Sequence, residues 1–329
     1  IRIANALRQS QQPTILITVL KHYDHINELT EIFKSQELLS VIKGKGVLII
    51  DDEADQASLN TYARKNSKSP DWEDDEFSST YTSILNLRAS LQNHSYIQYT
   101  ATPQGPLLIN LMDLLSPKFH VVLTPGKSYT GGKVFFIDNP DIILTIPKNQ
   151  VFHNKYNNLV ECPQTLVDAL QVFLIGTAIA VNIEKRETFL SMMIHADKLV
   201  KASEKFLEWV KQLQETWRSI FTMHHNDPTK IELFEAFKEN YLEATRRINN
   251  PPSFDIVMQE VLQIMLDTNT ELVIQGSEEI DWASASAHIL IGADMLNRGF
   301  TVENLSVSYM PRYSVGKSNA DTIQQRCRF

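Results

Sequence analysis

Two hydrophobic periods alternate along the chain. In the first half, Thr14 to Leu20 (TILITVL), Val47 to Ile50 (VLII) and Tyr96 to Tyr99 are short apolar runs that read as strands. Between them, Ile26, Leu29, Ile32 and Phe33 recur at helical spacing, predicting a helix over 26–39, and Tyr81 to Leu91 predicts another. Gly44 and Gly46 punctuate the chain just before VLII. Four consecutive apolar residues suit a parallel strand covered on both faces. Strand, helix, strand, helix predicts an α/β unit with a mostly parallel sheet.

The alternation lapses and then restarts. Pro117 to Pro163 is richer in Gly, Pro and Asn and includes TPGKSYTGGK, which predicts irregular structure with short strands and a connection near 154–163. Leu166 to Ile183 reads as a buried helix and Thr188 to Ile194 as a strand. Leu199, Phe206, Leu207, Val210 and Leu213 mark an amphipathic helix. Helical patterning continues to Leu266, broken at Asp227-Pro228 and Pro251-Pro252, and strands return at 271–274, 288–291 and 305–309. The expected architecture is two α/β lobes, 1–158 and 159–329, with a helical insertion at about 203–266 in the second. No repeat of solenoid period is present.

Composition narrows the class. The 329 residues are 43% hydrophobic and 21% charged, a globular balance with enough chain for two cores. Net charge is −8, so the chain carries no bulk positive field for nucleic acid, and any DNA contact must be local. Two cysteines, Cys162 and Cys327, make no disulfide framework and suit a reducing cytoplasm. The most apolar run, Val172 to Val181, is about half the ~20 residues a membrane span requires, and it predicts a core helix. The chain opens at Ile1 without an initiator Met and stops at Phe329 after a basic stretch; both ends read as cut from a longer protein.

The strongest chemical signal is VLIIDDEADQAS, residues 47–58. An apolar strand there delivers four carboxylates, Asp51, Asp52, Glu53 and Asp55, to its C-terminal end, where open α/β sheets bind ligands. Mg²⁺ needs only one or two such acids beside a phosphate. A second acid can orient or deprotonate an attacking water. Asp52 is the natural Mg²⁺ ligand, Glu53 the natural base and Asp51 an additional outer acid. YTATPQG, residues 99–105, ends the neighbouring strand with hydroxyls able to bond the acidic cluster. A third stretch, ILIGADMLNRGFTVENLSVSYMPR, is followed by DTIQQRCRF, whose Arg326 and Arg328 offer permanently charged, planar guanidinium groups to phosphate.

These stretches resemble, in order, the motifs of superfamily-two helicases and translocases: Asp52 to Asp55 motif II, Thr100 to Thr102 motif III, Asn297-Arg298-Gly299 motif V, and Gln324 to Arg328 the start of motif VI. The wording is closer still to the Z-one domain family, whose members carry an endonuclease label. IIDDEADQAS, TATPQ, LTPGKSYTGGKVFF, MMIHADKL, LNRGFTVENLSVSYMPR and DTIQQRCRF all resemble that family in its order, over nearly the whole chain. The resemblance implies two RecA-like lobes, ATP and Mg²⁺ as cofactors, DNA and a nuclease or other defence-system subunit as partners, and a role in bacterial restriction or phage defence. It implies Asp52 for the Mg²⁺ ion and Glu53 and Arg328 as the catalytic base and arginine finger. Nucleotide coupling would fall to Asp55, Thr100, Thr102, Arg298, Gly299, Thr301 and Gln325. A nucleotide-gated DNA-binding scaffold that recruits a separate nuclease fits the same motifs.

The chain departs from that pattern in places. It has no G-x-x-x-x-G-K-[ST]: the leading glycine is Val121 before Gly126-Lys127-Ser128 and Pro311 before Gly316-Lys317-Ser318. The expectation is that the phosphate loop lies upstream of Ile1, leaving the first lobe without it and this chain alone inactive. Cys327 stands where relatives have Gly. A nuclease motif beginning at Pro140-Asp141 lacks its acid, the relevant string being Ile146-Pro147-Lys148. His224-His225 reads as a surface pair, His195 as structural, and Lys198, Lys201, Lys205 and Lys211 as a solvated basic face.

Overall fold

The structure is a computed structural model that describes residues 2–8, 13–55, 79–101, 114–127, 129, 131–151, 159–196, 200–274, 279–293 and 301–311. The chain divides into two compact units, Ile1–Lys127 and Ser128–Phe329. Both are mixed α/β, each with a small parallel sheet.

The first unit contains α1 (Arg2–Leu7), α2 (Tyr23–Lys34), α3 (Gln36–Ile42), β1 (Val47–Asp51), α4 (Ser79–Ala89) and β2 (His94–Gln98). The helix expected over 26–39 is two helices. Ser35 takes extended backbone angles, and both its N–H and its hydroxyl bond the carbonyl of Ile32, ending α2 before α3 begins. Gly44, at φ +81°, turns the chain out of α3 through a region L-residues avoid. Strands β1 and β2 pair in parallel, Val47 opposite His94 through Asp51 opposite Gln98. Val47, Ile49 and Tyr96 pack against a core of Ile26, Phe33, Leu38, Tyr81, Ile84 and Leu87.

Two expectations fail in this unit. VLII is covered on one face only: Leu48 and Ile50 are 56% and 59% exposed. TILITVL forms no strand, and Leu16 is 86% exposed. Apolar alternation supplies propensity, but a strand also needs a ladder partner for its N–H and C=O groups. Among the described residues, the first sheet has only β1 and β2.

In the second unit, residues 131–151 form a wide π-helical stretch at Lys133–Asp138 and tight 3-10 turns at Pro140–Ile142 and Lys148–Gln150, with no strand among the described residues there. Side chains hold this segment to the second unit. Arg246 and Arg247 both bind Asp141, and Gln150 Oε1 accepts from Thr165 N at 2.8 Å. Helix α5 (Gln164–Thr177) runs on through wider π-helical turns to Ile183. Then come β3 (Leu190–His195), α6 (Val200–Phe221), α7 (Pro228–Thr245), α8 (Phe254–Leu266), β4 (Thr268–Val273), β5 (Ala287–Gly292) and β6 (Leu305–Tyr309). All four strands are parallel, in the order β4-β5-β3-β6.

Central strands β3 and β5 are buried on both faces, which is why LSMMIH and AHILIG are mostly apolar with no polar alternation, their Ser191, His195 and His288 being buried too. Helix α7 starts where Asp227 caps Thr229 N at 2.9 Å with Pro228 at the first helical position, an N-terminal pairing that needs no intrahelical donor from the proline. Helices α6 to α8 are not an appendage. Phe206, Val210, Trp217, Phe237, Val257 and Val261 share one core with Met192, Ile194, Ile289 and Ile291. From Gln164 to Ile183 the chain is long and apolar enough to cross a membrane by length and composition. It is a core helix here: no residue from 165 to 183 is exposed, and α5 packs on α7, α8 and β6.

Candidate functional site

The acidic cluster sits where β1 ends. The ladder runs on past the strand: Tyr99 N donates to Asp51 O at 2.8 Å, and Ala54 N donates to Tyr99 O at 2.9 Å. These bonds stitch the turn after β1 to the end of β2 and bury Ala54 completely. Asp52 Oδ1 accepts from Glu53 N at 3.0 Å, and Glu53 sits at φ +50°, a left-handed conformation a residue with a Cβ adopts only when its surroundings hold it there.

The four carboxylates have different environments. Asp51 is buried. Its Oδ1 meets the Lys21 ammonium at 2.9 Å, and its Oδ2 accepts from the Tyr96 hydroxyl at 2.5 Å. Burial first, and then the negative charge of Asp51, push the Tyr96 phenol above its ordinary range, so it remains a donor. Lys21 also donates to Asp52 O at 2.6 Å and Glu53 O at 2.7 Å. Asp52 is exposed, and Glu53 and Asp55 are half-buried. Thr100, just past β2, donates its hydroxyl to Asp55 Oδ1 at 2.7 Å. The hydroxyl-to-acid bond predicted between the two strand ends is therefore present, through Thr100.

Sequence reasoning named the acids and Thr100 but not Lys21 or Tyr96, and it made Asp51 an outer acid when it is an internal partner. One signal was available. TILITVL ends in Lys21 as VLII ends in Asp51, so two apolar runs each finish on a charge of opposite sign. Tyr96 was masked because it also reads as an ordinary strand residue.

Thr301 is exposed on the segment entering β6, next to Val302, which packs on a small core of Met193, Val273 and Leu290. Thr102, Arg298, Gly299, Gln325 and Arg328 lie outside the described residues. So does Lys198. His224 and His225 fall in the loop after α6 rather than on the helix, with rings 4.1 Å apart. Lys205 leaves the basic face: its ammonium bonds Leu159 O and sits over the Trp209 ring.

Among the described residues, no three His, Cys, Asp or Glu side chains group to enclose a metal. Asp52 is nonetheless a hard oxygen donor in solvent. That suits Mg²⁺ shared with substrate phosphates and water, not a cage built by protein alone.

Comparison with known proteins adds one finding. No curated protein and no solved structure matches the chain. Residues 165–329 match the Z1 domain, a stretch that begins at the second residue of α5 and takes in the whole β4-β5-β3-β6 sheet, while the acidic turn lies ahead of it. With half of its length matched, the chain belongs to the Z1 domain family.

Proposed function

We propose that this chain supplies the hydrolytic and coupling side of a nucleotide-driven protein acting on DNA, of the helicase-like type, serving bacterial restriction or phage defence from the cytoplasm. On this reading the two units are RecA-like lobes. The observation that carries it is the 2.7 Å bond from Thr100 to Asp55, which ties the acidic turn after one parallel strand to the end of its neighbour. A change at the acids can reach β2 through that bond, as coupling of hydrolysis to movement requires.

The roles follow from the environments. Asp52, exposed, would hold Mg²⁺ beside the nucleotide phosphates. Bound there, Mg²⁺ would neutralise charge developing on the phosphoryl oxygens. Glu53 accepts the proton of the attacking water. Thr100, Thr102, Arg298, Gly299, Thr301 and Gln325 relay the nucleotide state, and Arg328 stabilises charge on the transferred phosphoryl group. The sequence carries no G-x-x-x-x-G-K-[ST], so this reading takes the phosphate cradle from outside the 329 residues.

The test uses a full-length parent protein that includes the phosphate cradle and compares its DNA-stimulated ATP hydrolysis with that of its Glu53→Gln variant. Loss of a general base is worth about 10²- to 10⁴-fold, so a fall of at least 100-fold is expected. Equal rates remove Glu53 from the chemistry. DNA binding that responds to ATP without hydrolysis in either protein would favour the scaffold reading instead.

A further inference from the structure

Three oxygens converge on one nitrogen at the acidic turn. Asp51 Oδ1, Asp52 O and Glu53 O lie 2.9, 2.6 and 2.7 Å from Lys21 Nζ. That is every donor an ammonium has, and all three point into a single five-residue turn. The Lys21 side chain is 23% exposed and that of Asp51 only 5%, so the contact is well shielded from solvent. The other Asp51 oxygen is taken by Tyr96. Asp51 thus has both oxygens engaged within the protein by side chains from elsewhere in the chain, whereas Asp52 is exposed and, among the described residues, its Oδ1 accepts only from the neighbouring Glu53 N.

We propose that Lys21 is a positioning residue that acts as a built-in cation: it consumes Asp51 and fixes the Asp52 and Glu53 carbonyls, so that the Asp52 and Glu53 side chains, not Asp51, face the divalent ion and water. This rests on the function proposed above for the same turn. Two features of the geometry support it. Glu53 is held at φ +50°, and Lys21 grips the carbonyls on either side of that residue's N–H and Cα, so the ammonium maintains the strained backbone. A guanidinium spreads its donors in a plane and could not converge three oxygens on one atom, so Lys is the residue this geometry requires. Lys21 reaches the turn from the segment before α2, which has no ladder partner among the described residues. The segment's role here is to deliver the charge.

Two experiments on the full chain decide it. In ¹⁵N-lysine-labelled wild-type protein, one ammonium resonance should exchange slowly with water. It should persist when Mg²⁺ is added and disappear in Asp51→Asn. Loss of the resonance on adding Mg²⁺ would mean that the ion displaces Lys21, and it would overturn the proposal. So would the lack of any such resonance. The second experiment measures Mn²⁺ binding, by its electron paramagnetic resonance signal, with Mn²⁺ alone as probe. In wild type, Asp51→Asn should leave Mn²⁺ affinity within about twofold and Asp52→Asn should lower it about tenfold, the usual scale for losing one member of a metal site. In Lys21→Met, the freed Asp51 should join the site: affinity rises about tenfold, and adding Asp51→Asn cancels the gain. If Asp51→Asn weakens Mn²⁺ binding in wild type as much as Asp52→Asn does, Lys21 does not consume Asp51 and the idea fails. Neither readout uses hydrolysis, so equal hydrolysis by the cradle-containing parent and its Glu53→Gln variant would refute the proposed function and leave the Lys21 result standing by itself.

Discussion

The left-handed backbone at Glu53 gives a prediction whose sign is unusual. At ordinary positions, replacing Ala by Gly destabilises by about 0.5–1 kcal/mol, because Gly has more backbone freedom to lose. At φ +50° the order should reverse. A Cβ in that region costs about 1–2 kcal/mol, which Gly escapes. The net advantage of Glu53→Gly over Glu53→Ala is therefore about 0.5–1 kcal/mol. Both variants lose the same carboxylate with its contacts, and both keep the Lys21 bond to the residue 53 carbonyl, so comparing them isolates the backbone term. The assay is native-state amide hydrogen exchange read on peptides covering β1 and β2, because global unfolding of a two-unit chain need not be two-state. The Gly variant should exchange about two- to fivefold more slowly than the Ala variant over 47–51 and 94–98, the factor that 0.5–1 kcal/mol implies. Neither should hydrolyse nucleotide if Glu53 is the base, so the Gly variant would be the more stable of two inactive proteins. That is the pattern expected where strain is kept for function. Equal exchange, or faster exchange in the Gly variant, would show that the turn is not held in this conformation and would undercut the positioning argument built on it.

Two further outcomes concern the second unit. Phe237 is fully buried on α7, edge-on to Trp217 at 5.3 Å and Phe221 at 5.8 Å, both on α6; Phe237→Ala should cost about 3–5 kcal/mol in urea unfolding followed by tryptophan fluorescence, and a loss below about 1 kcal/mol would mean that α7 does not pack there. Burial pushes the Tyr309 phenol up to about 12, with the nearby charges of Cys162 and Asp168 adding to the shift and the Thr165 hydroxyl at 2.8 Å opposing it. Because the folded value is raised above the unfolded one near 10, this contribution is complete below about pH 10 and is lost as pH rises toward 12, falling by about 1.4 kcal/mol per unit. Tyr309→Phe should remove that slope from the pH dependence of the urea midpoint, and an unchanged slope would place the alkaline loss elsewhere.

The sequence by itself determined most of the second unit. Apolar-rich runs without polar alternation predicted β3 and β5 because both strands are buried on both faces, so one-dimensional hydrophobicity and three-dimensional burial largely coincide. The proline-marked breaks fell at the starts of α7 and α8 because proline and a capping acid act through local backbone geometry. The acids of the candidate site were legible for the same local reason: they follow β1 directly in the chain, and strand ends are where sheets expose polar groups.

Tertiary structure decided what depends on partners distant in sequence. TILITVL has the pattern of a strand and, among the described residues, pairs with no strand, so it does not become a ladder. VLII reads like a doubly covered strand and is covered on one face, because coverage is set by what packs against a sheet rather than by the strand's own residues. Asp51, Asp52 and Glu53 are adjacent carboxylates that the sequence could rank only by order. Lys21, 30 residues upstream of Asp51, and Tyr96, 45 residues downstream, make the first an internal partner and leave the second to solvent. The chain's order placed the charges at the turn, and only folding, by bringing an ammonium and a phenol to one of them, made Asp51 an internal partner while Asp52 stays exposed.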